Sequence, residues 1–232
     1  MPLLKEGELL GILNVEATHE HPLKESDVDL LTALAGPVAV AIDNAHLHAE
    51  VKSLALTDAL TGLANRRAFD QILETEAARA VRYGHSLALI IIDVDSFKEY
   101  NDTLGHLAAD KRLKAIAHIL STNARHPDVA ARYGGDEFAI ILPHTDKSGA
   151  MTLAERLRAA CQANSPGTPS DGIPISGYTL SLGVAAIPQD GMTPNALMSA
   201  ADLAELAAKN LGKNRVCAAE TGTVAASDKN KK

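Results

Sequence analysis

Arg132 to Pro143 reads R-Y-G-G-D-E-F-A-I-I-L-P. Phe138–Leu142 is an apolar run of strand character. With Val129–Ala131 in front, the segment predicts two strands joined around a Gly-Gly turn, a hairpin. Two adjacent acids, Asp136 and Glu137, stand at the lip of the second strand. Turn chemistry alone accounts for such residues. They equally suit a place where backbone and carboxylates meet a charged ligand.

Working outward, S-L-A-L-I-I-I-D-V-D (86–95) is a near-continuous apolar strand that ends in Asp93 and Asp95. A helix is predicted from about Arg66, a second over 107–124 with Leu113, Ile116, Ala117 and Leu120 on one face, and a third over 147–163. Residues 165–172 read as a loop and 175–187 as a strand. Thr193 as N-cap and Pro194 at the first helical position open a last helix. Asn214–Ala218 suits a short edge strand. The order β-α-β-β-α-β-α predicts an α+β fold of the ferredoxin-like kind, a mostly antiparallel sheet flanked by helices.

The first 56 residues differ in character. Residues 8–16 predict one strand. Ser26 with Asp29 resembles a capping box, followed by Leu30, Leu31, Leu34, Val38, Ala41, Ile42 and Ala45 at helical spacing. Pro37 predicts a kink or a join. One strand and one long helix cannot bury a core alone, so this segment reads as the end of a domain whose body is missing or which packs on a partner.

Composition sets limits. The chain has 232 residues, 46% hydrophobic, 3% aromatic and no Trp, so aliphatic side chains must build the core. The formal net charge of -7 leaves no general basic field for nucleic acid. Cys161 and Cys217 show neither metal-ligand spacing nor a disulfide framework. The longest apolar run falls far short of the roughly 20 residues of a membrane helix, and no signal-peptide order opens the chain. The expectation is a soluble, cytoplasmic protein, cut from something larger.

If the strand ending at Asp93 neighbours the hairpin, Asp93 and Asp136 can converge on a hard cation. Mg²⁺ takes oxygen ligands and substrate phosphates together, and two such ions about 3.5–4 Å apart suit in-line displacement at phosphorus. Gly134 and Gly135 would let backbone N–H groups approach a phosphate.

Several motifs together resemble the GGDEF family, the diguanylate cyclases: R-Y-G-G-D-E-F (132–138), T-D-A-L-T-G-L-A-N-R-R-A-F (57–69), I-I-I-D-V-D-S-F-K-E-Y-N-D-T-L-G-H (90–106), Y-T-L-S-L-G-V-A (178–185) and A-A-K-N-L-G-K-N-R-V (207–216). The resemblance covers about residues 57–218 and implies a nucleotide-cyclase palm. It implies that two GTP condense to cyclic di-GMP, releasing two pyrophosphates. Two Mg²⁺ per site, replaceable by Mn²⁺, would be held by Asp93, the Val94 carbonyl and Asp136, with Glu137 beside them. Asp136 is also a candidate for helping to deprotonate the attacking 3′-OH. Asn101 and Asp110 would read guanine; taken alone they also suit a helix cap and a first-turn acid. Lys98, Arg132, Lys209 and Lys213 would meet phosphate charge, with Gly134 and Gly135. Phe97 stands in the same phosphate segment but equally suits the core. Lys98 and Arg132 join Asp136 and Glu137 in the catalytic group.

The resemblance further implies a homodimer, because each half-site holds one GTP. The N-terminal stretch resembles the last strands and final helix of a GAF sensor domain, whose helix would pair with its twin. Arg125-His-Pro-Asp128 matches the family's RxxD inhibitory product site, with Arg156 as a further contact. The implied domains are 1–56, 57–218 and a disordered tail at 219–232. Three positions depart from the pattern: Ala109 for Gly, Glu205-Leu206 for an apolar residue and Tyr, and Lys213 for Arg. Glu205 must therefore be exposed or find a partner. Alternatives are a weakly catalytic module that senses GTP or cyclic di-GMP, and cyclization of another nucleotide.

Overall fold

Leu87–Val94 is the central strand of a six-stranded sheet. The computed structural model describes residues 1–5, 8–16, 24–163 and 179–220, without the side chains of 5, 8 and 45–55. In order, the elements are β1 (Pro2–Lys5), β2 (Glu8–Ile12), α1 (Glu25–Leu56), β3 (Ala64–Asn65), α2 (Arg66–Tyr83), β4 (Leu87–Val94), α3 (Phe97–Leu104), α4 (His106–Asn123), β5 (Val129–Arg132), β6 (Glu137–Pro143), α5 (Lys147–Ala163), β7 (Leu180–Ile187), α6 (Pro194–Asn210) and β8 (Arg215–Ala218). The sheet order is β3-β5-β6-β4-β7-β8. The inner pairs β5–β6, β6–β4 and β4–β7 are antiparallel, and the outer pairs β3–β5 and β7–β8 are parallel. This is an α+β, palm-like sheet with helices on both faces.

β4 reads as continuous apolar sequence because both of its faces are covered. Ala88, Ile90, Ile92 and Val94 pack with Leu113, Ile116 and Leu120 of α4 and Ala154 and Leu157 of α5. Leu87, Leu89 and Ile91 pack with Phe69, Leu73 and Ala77 of α2 and Leu197, Ala201 and Ala204 of α6. Caps set the helix starts: Asn65 accepts from the Ala68 N–H at 3.0 Å, and Thr193 accepts from Ala196 at 3.2 Å ahead of Pro194.

α6 lies unusually close to the sheet. A Cβ on Gly183 of β7 would stand 2.1 Å from the Ala201 carbonyl oxygen and 2.3 Å from the Glu205 nitrogen. Only a glycine lets the helix backbone sit there.

Contacts divide the chain into two units, Met1–Ala55 and Leu56–Lys232. In the first, β1 and β2 form an antiparallel hairpin where a single strand was expected. α1 starts at Glu25, and the Asp27 carboxylate accepts from the Lys24 N–H at 2.9 Å. The reciprocal cap therefore lies before Ser26. The helix runs as one element through Pro37. Leu30, Leu34, Val38 and Val40 are exposed and Ala39 is buried. The loop at 165–172, the start of the 175–187 strand and the tail from 221 lie outside the described residues. Among the described residues no helix is long and apolar enough to cross a membrane.

Candidate active site

The register of β4 builds the site. Asp93 pairs with Glu137 of β6 on one side and Ser181 of β7 on the other. The Val94 N–H donates to the Asp136 carbonyl at 3.2 Å. Asp93, Val94, Asp136 and Glu137 thus meet at one end of the sheet. Asp93 shares a face with Leu89 and Ile91, the face that α6 covers.

The close approach of α6 brings Glu205 and Lys209 over that end. The Lys209 ammonium lies 2.8 Å from Asp93 Oδ2 and 3.0 Å from Glu205 Oε1. Lys209, expected at phosphate charge, is here an ion-pair partner of an expected metal ligand. Glu205 is 9% exposed, and its partner is this ion pair, whose 3.0 Å contact lacks the alignment of a hydrogen bond at Oε1. Burial pushes the Asp93 carboxyl above its ordinary value; Lys209 opposes this, and Asp136 and Asp95 reinforce it. Burial likewise raises Glu205, against the pull of Lys209. For Lys209, burial works downward, but the close contacts and charges of Asp93 and Glu205 outweigh it and hold the ammonium above its ordinary value. Asp93, Asp136, Glu137 and Glu205 thus outnumber the Lys209 ammonium at this end of the sheet.

The turn before β6 is tied from below. Tyr133 and Gly134 N–H groups both donate to the Glu137 carbonyl, at 2.9 and 3.2 Å. The Arg132 guanidinium donates to the Gly135 carbonyl at 2.8 and 3.2 Å and to both Asp58 oxygens at 3.2 Å. Asp58 also accepts from the Thr61 N–H and hydroxyl, at 2.9 and 2.7 Å. Burial alone would raise Asp58, yet Thr61 and Arg132 together hold its carboxyl below the ordinary value. Arg132 is therefore placed as a strut under the turn. The two glycines differ: a Cβ on Gly134 would press on the Glu137 carboxylate at 2.5 Å, while one on Gly135 would meet nothing within 4 Å.

Beyond β4, Asp95 is committed to the fold. Its buried carboxylate accepts from the Ser181 hydroxyl at 2.6 Å and the Asn214 N–H at 2.9 Å. Arg112, 1% exposed, donates to the Asp95 carbonyl at 3.3 Å and lies 4.6 Å from the Tyr100 ring centroid. These contacts fix α3, which carries Phe97, Lys98 and Asn101, against α4, which carries Asp110. Phe97 is partly buried against the core, and Lys98 is exposed. Asn101 Oδ1 is buried and accepts no hydrogen bond from the described residues. Lys213 donates to the Ser96 hydroxyl at 3.1 Å.

A separate cavity of about 540 Å³ brings Arg125, Asp128 and Arg156 together with Thr145 and His144. Asp128 accepts from the Arg125 N–H at 3.0 Å, the Arg125 guanidinium donates to Thr145 at 3.0 Å, and Arg156 donates to the Asn123 carbonyl at 3.0 Å. Among the described residues, no three His, Cys, Asp or Glu side chains gather as a ready metal cage. Cys161 and Cys217 form no disulfide.

The expected neighbourhood of Asp93, Asp136 and Glu137 is present in the register, whereas Asp58, Arg112 and the Lys209–Glu205 pairing were not read from the sequence. Only Glu205 carried a signal, as an acid on a helix face made of alanines.

Comparison with known proteins fits this geometry. Residues 55–215 match the family described as diguanylate cyclase, GGDEF domain, and residues 1–43 match the GAF domain. The response regulator PleD of Caulobacter vibrioides is 41% identical over 163 residues, 70% of this chain and 36% of PleD. The diguanylate cyclase DgcP of Pseudomonas aeruginosa is 42% identical over 225 residues, 93% of this chain and 33% of DgcP. The chain thus spans about a third of the length of these relatives. The coiled coil and GGDEF domain of DgcB from Caulobacter crescentus, solved in complex with c-di-GMP, superposes with a TM-score of 0.75 at 35% identity, covering 82% of this chain and 99% of that one. With a sheet that gathers the acids of R-Y-G-G-D-E-F beside Asp93, the chain belongs to the GGDEF family of diguanylate cyclases.

Proposed function

We propose that residues 57–218 form a diguanylate cyclase domain that condenses two GTP into cyclic di-GMP, and that residues 1–56 are the end of a GAF-like sensor with its signalling helix. The observation that carries this reading is the strand register that brings Asp93, Val94, Asp136 and Glu137 to one sheet end, just ahead of α3. Their donors are all hard oxygens, and the raised Asp93 carboxyl marks a place that gains from a cation. Mg²⁺ held there would supply charge neutralisation at the α-phosphate and acidify the attacking 3′-OH.

The chain's own residues do the rest. Asn101 Oδ1 and the Asp110 carboxylate accept from the guanine edge, whose N1–H and 2-amino donors adenine lacks. Lys98 and Lys213 meet phosphate charge. Arg132 and Asp58 hold the turn, and Asp136 takes the 3′-OH proton in this reading. Because each site holds one GTP, two domains face each other, and the exposed Leu30, Leu34 and Val38 suit pairing of α1 with its twin. The Arg125–Asp128–Arg156 cavity suits the product, with Arg125 on phosphate or stacked on guanine and Asp128 accepting from a base.

The experiment is turnover of GTP with Mg²⁺ by nucleotide-free protein, with ATP as the competing substrate. Cyclic di-GMP from GTP alone supports the reading, and product from ATP would transfer it to another cyclase class. One observation favours the alternative, a sensing module: Lys209 sits where Asp93 would meet metal. Tight nucleotide binding without turnover would select it.

A further inference from the structure

We propose that Glu205 is a positioning residue: it seats the Lys209 ammonium beside Asp93 and retains it at the lip of the site when a divalent cation takes Asp93. This rests on the reading of Asp93 as a cation ligand.

Lys209 is shared between two carboxylates from different elements, Asp93 on β4 and Glu205 on its own helix. The contact with Glu205 is local, four residues apart in the favourable order, and survives whatever Asp93 does. Gly183 fixes it further, since a Cβ there would stand 2.8 Å from the Glu205 Cβ. A divalent cation and an ammonium compete for the same Asp93 oxygens. Without Glu205, a cation arriving at Asp93 would take from a half-buried ammonium its remaining direct ion-pair partner, so cation entry would carry that cost. With Glu205, Lys209 leaves Asp93 and keeps a partner.

Packing does not explain the carboxylate. Glu205 sits on a helix face made of Ala201, Ala204 and Ala208, where an apolar side chain would fill the space without a desolvated charge. The surrounding charges are Asp93, Glu137 and Lys209. Among the described residues, Glu205 is thus the one carboxylate paired with Lys209 that is on the same helix and outside the proposed ligand set.

Two readouts test this on the full chain. Without metal or nucleotide, the Lys209 ammonium resonance, observed by ¹⁵N-lysine NMR, should be sharp in the wild type and in Asp93→Asn. It should broaden by faster solvent exchange when Glu205→Gln is added to Asp93→Asn, because Glu205 is then the carboxylate that holds the ammonium. An unchanged resonance in the Asp93→Asn, Glu205→Gln double variant overturns the proposal whatever the metal does. The second readout is Mn²⁺ binding to wild type, Glu205→Gln, Lys209→Met and the double variant. Glu205→Gln should weaken binding about threefold to tenfold, and the effect should vanish in the Lys209→Met background. An equal effect in both backgrounds means that Glu205 acts as bulk charge and overturns the proposal. Asp93→Asn separates the two claims: if it leaves Mn²⁺ binding intact, the ligand assignment fails, and with it the competition at Asp93. Glu205→Leu, which suits an alanine-rich face, repeats both readouts should the Gln variant unfold.

Discussion

Gly183→Ala is the most demanding perturbation of this fold. The added methyl would lie 2.1 Å from the Ala201 carbonyl oxygen, 2.3 Å from the Glu205 nitrogen and 2.8 Å from the Glu205 Cβ. Two of these three atoms are helix backbone, so no rotamer change relieves the clash. Restoring contact at roughly 3.3 Å requires α6 to move outward by about 1 Å. Overpacking of this kind costs about 1–3 kcal/mol, and the backbone contact places Gly183→Ala at the upper end. For a unit of this size that is a fall in Tm of roughly 5–10 °C. The same shift carries Lys209 and Glu205 away from Asp93, and misplacement by about 1 Å can lower turnover by about a hundredfold. Differential scanning calorimetry and GTP turnover measure both. Gly135→Ala is the control for stability, because its methyl would meet nothing within 4 Å. A Gly183→Ala protein that melts within about 1 °C of wild type and turns over normally would refute the close approach of α6 and all that is built on it.

Asp58→Asn should destabilise the protein by about 1 kcal/mol at pH 7, after discounting its charge-assisted hydrogen bonds for screening. The folded Asp58 carboxyl is held low, so its contribution is present above the unfolded value of about 3.9 and lost as pH falls through the folded value. Acid denaturation of the pair should therefore converge at low pH, and a gap that persists there would contradict the Asp58–Arg132 strut. Asp93 has the opposite sign: burial raises its carboxyl, so it takes up a proton above the ordinary carboxylate range, and the Mg²⁺ concentration for half-maximal turnover should rise as pH falls from there. A metal requirement flat down to about pH 4 would count against Asp93 as a ligand. Arg125→Ala should weaken cyclic di-GMP binding at the separate cavity by about tenfold or more, read by calorimetry, because a charged hydrogen-bond donor is lost; unchanged affinity would remove that site from the account.

What the sequence made legible follows from locality. β4 announced itself as an apolar run because both faces are buried, and Thr193-Pro194 marked the start of α6 because capping is read from neighbours. The hairpin was visible in Gly134-Gly135, since turn residues act within a few positions. α3 was not, because eight residues are too few for periodicity to register. The Ser26 cap failed because the carboxylate that caps, Asp27, reaches back to Lys24. Arg112 looks like one more cation between Lys111 and Leu113, and its burial is set by Asp95 and Tyr100, which lie in other elements. Arg132 resembled a phosphate ligand because a sequence does not show that Asp58, 74 residues away, is waiting beneath it. Lys209 resembled one too, and its hold on Asp93 appears only when α6 is laid on β7.

The central claim is that the acids at the end of β4 and β6 perform cyclization between two facing domains. Product formation from GTP and Mg²⁺ should be measured across protein concentration for nucleotide-free wild type and Asp136→Asn. The account predicts cyclic di-GMP with a rate per chain that rises steeply with concentration, and a loss of turnover of at least about a hundredfold in a folded Asp136→Asn. Full activity in Asp136→Asn, or no cyclic di-GMP from wild type at any concentration, would contradict it.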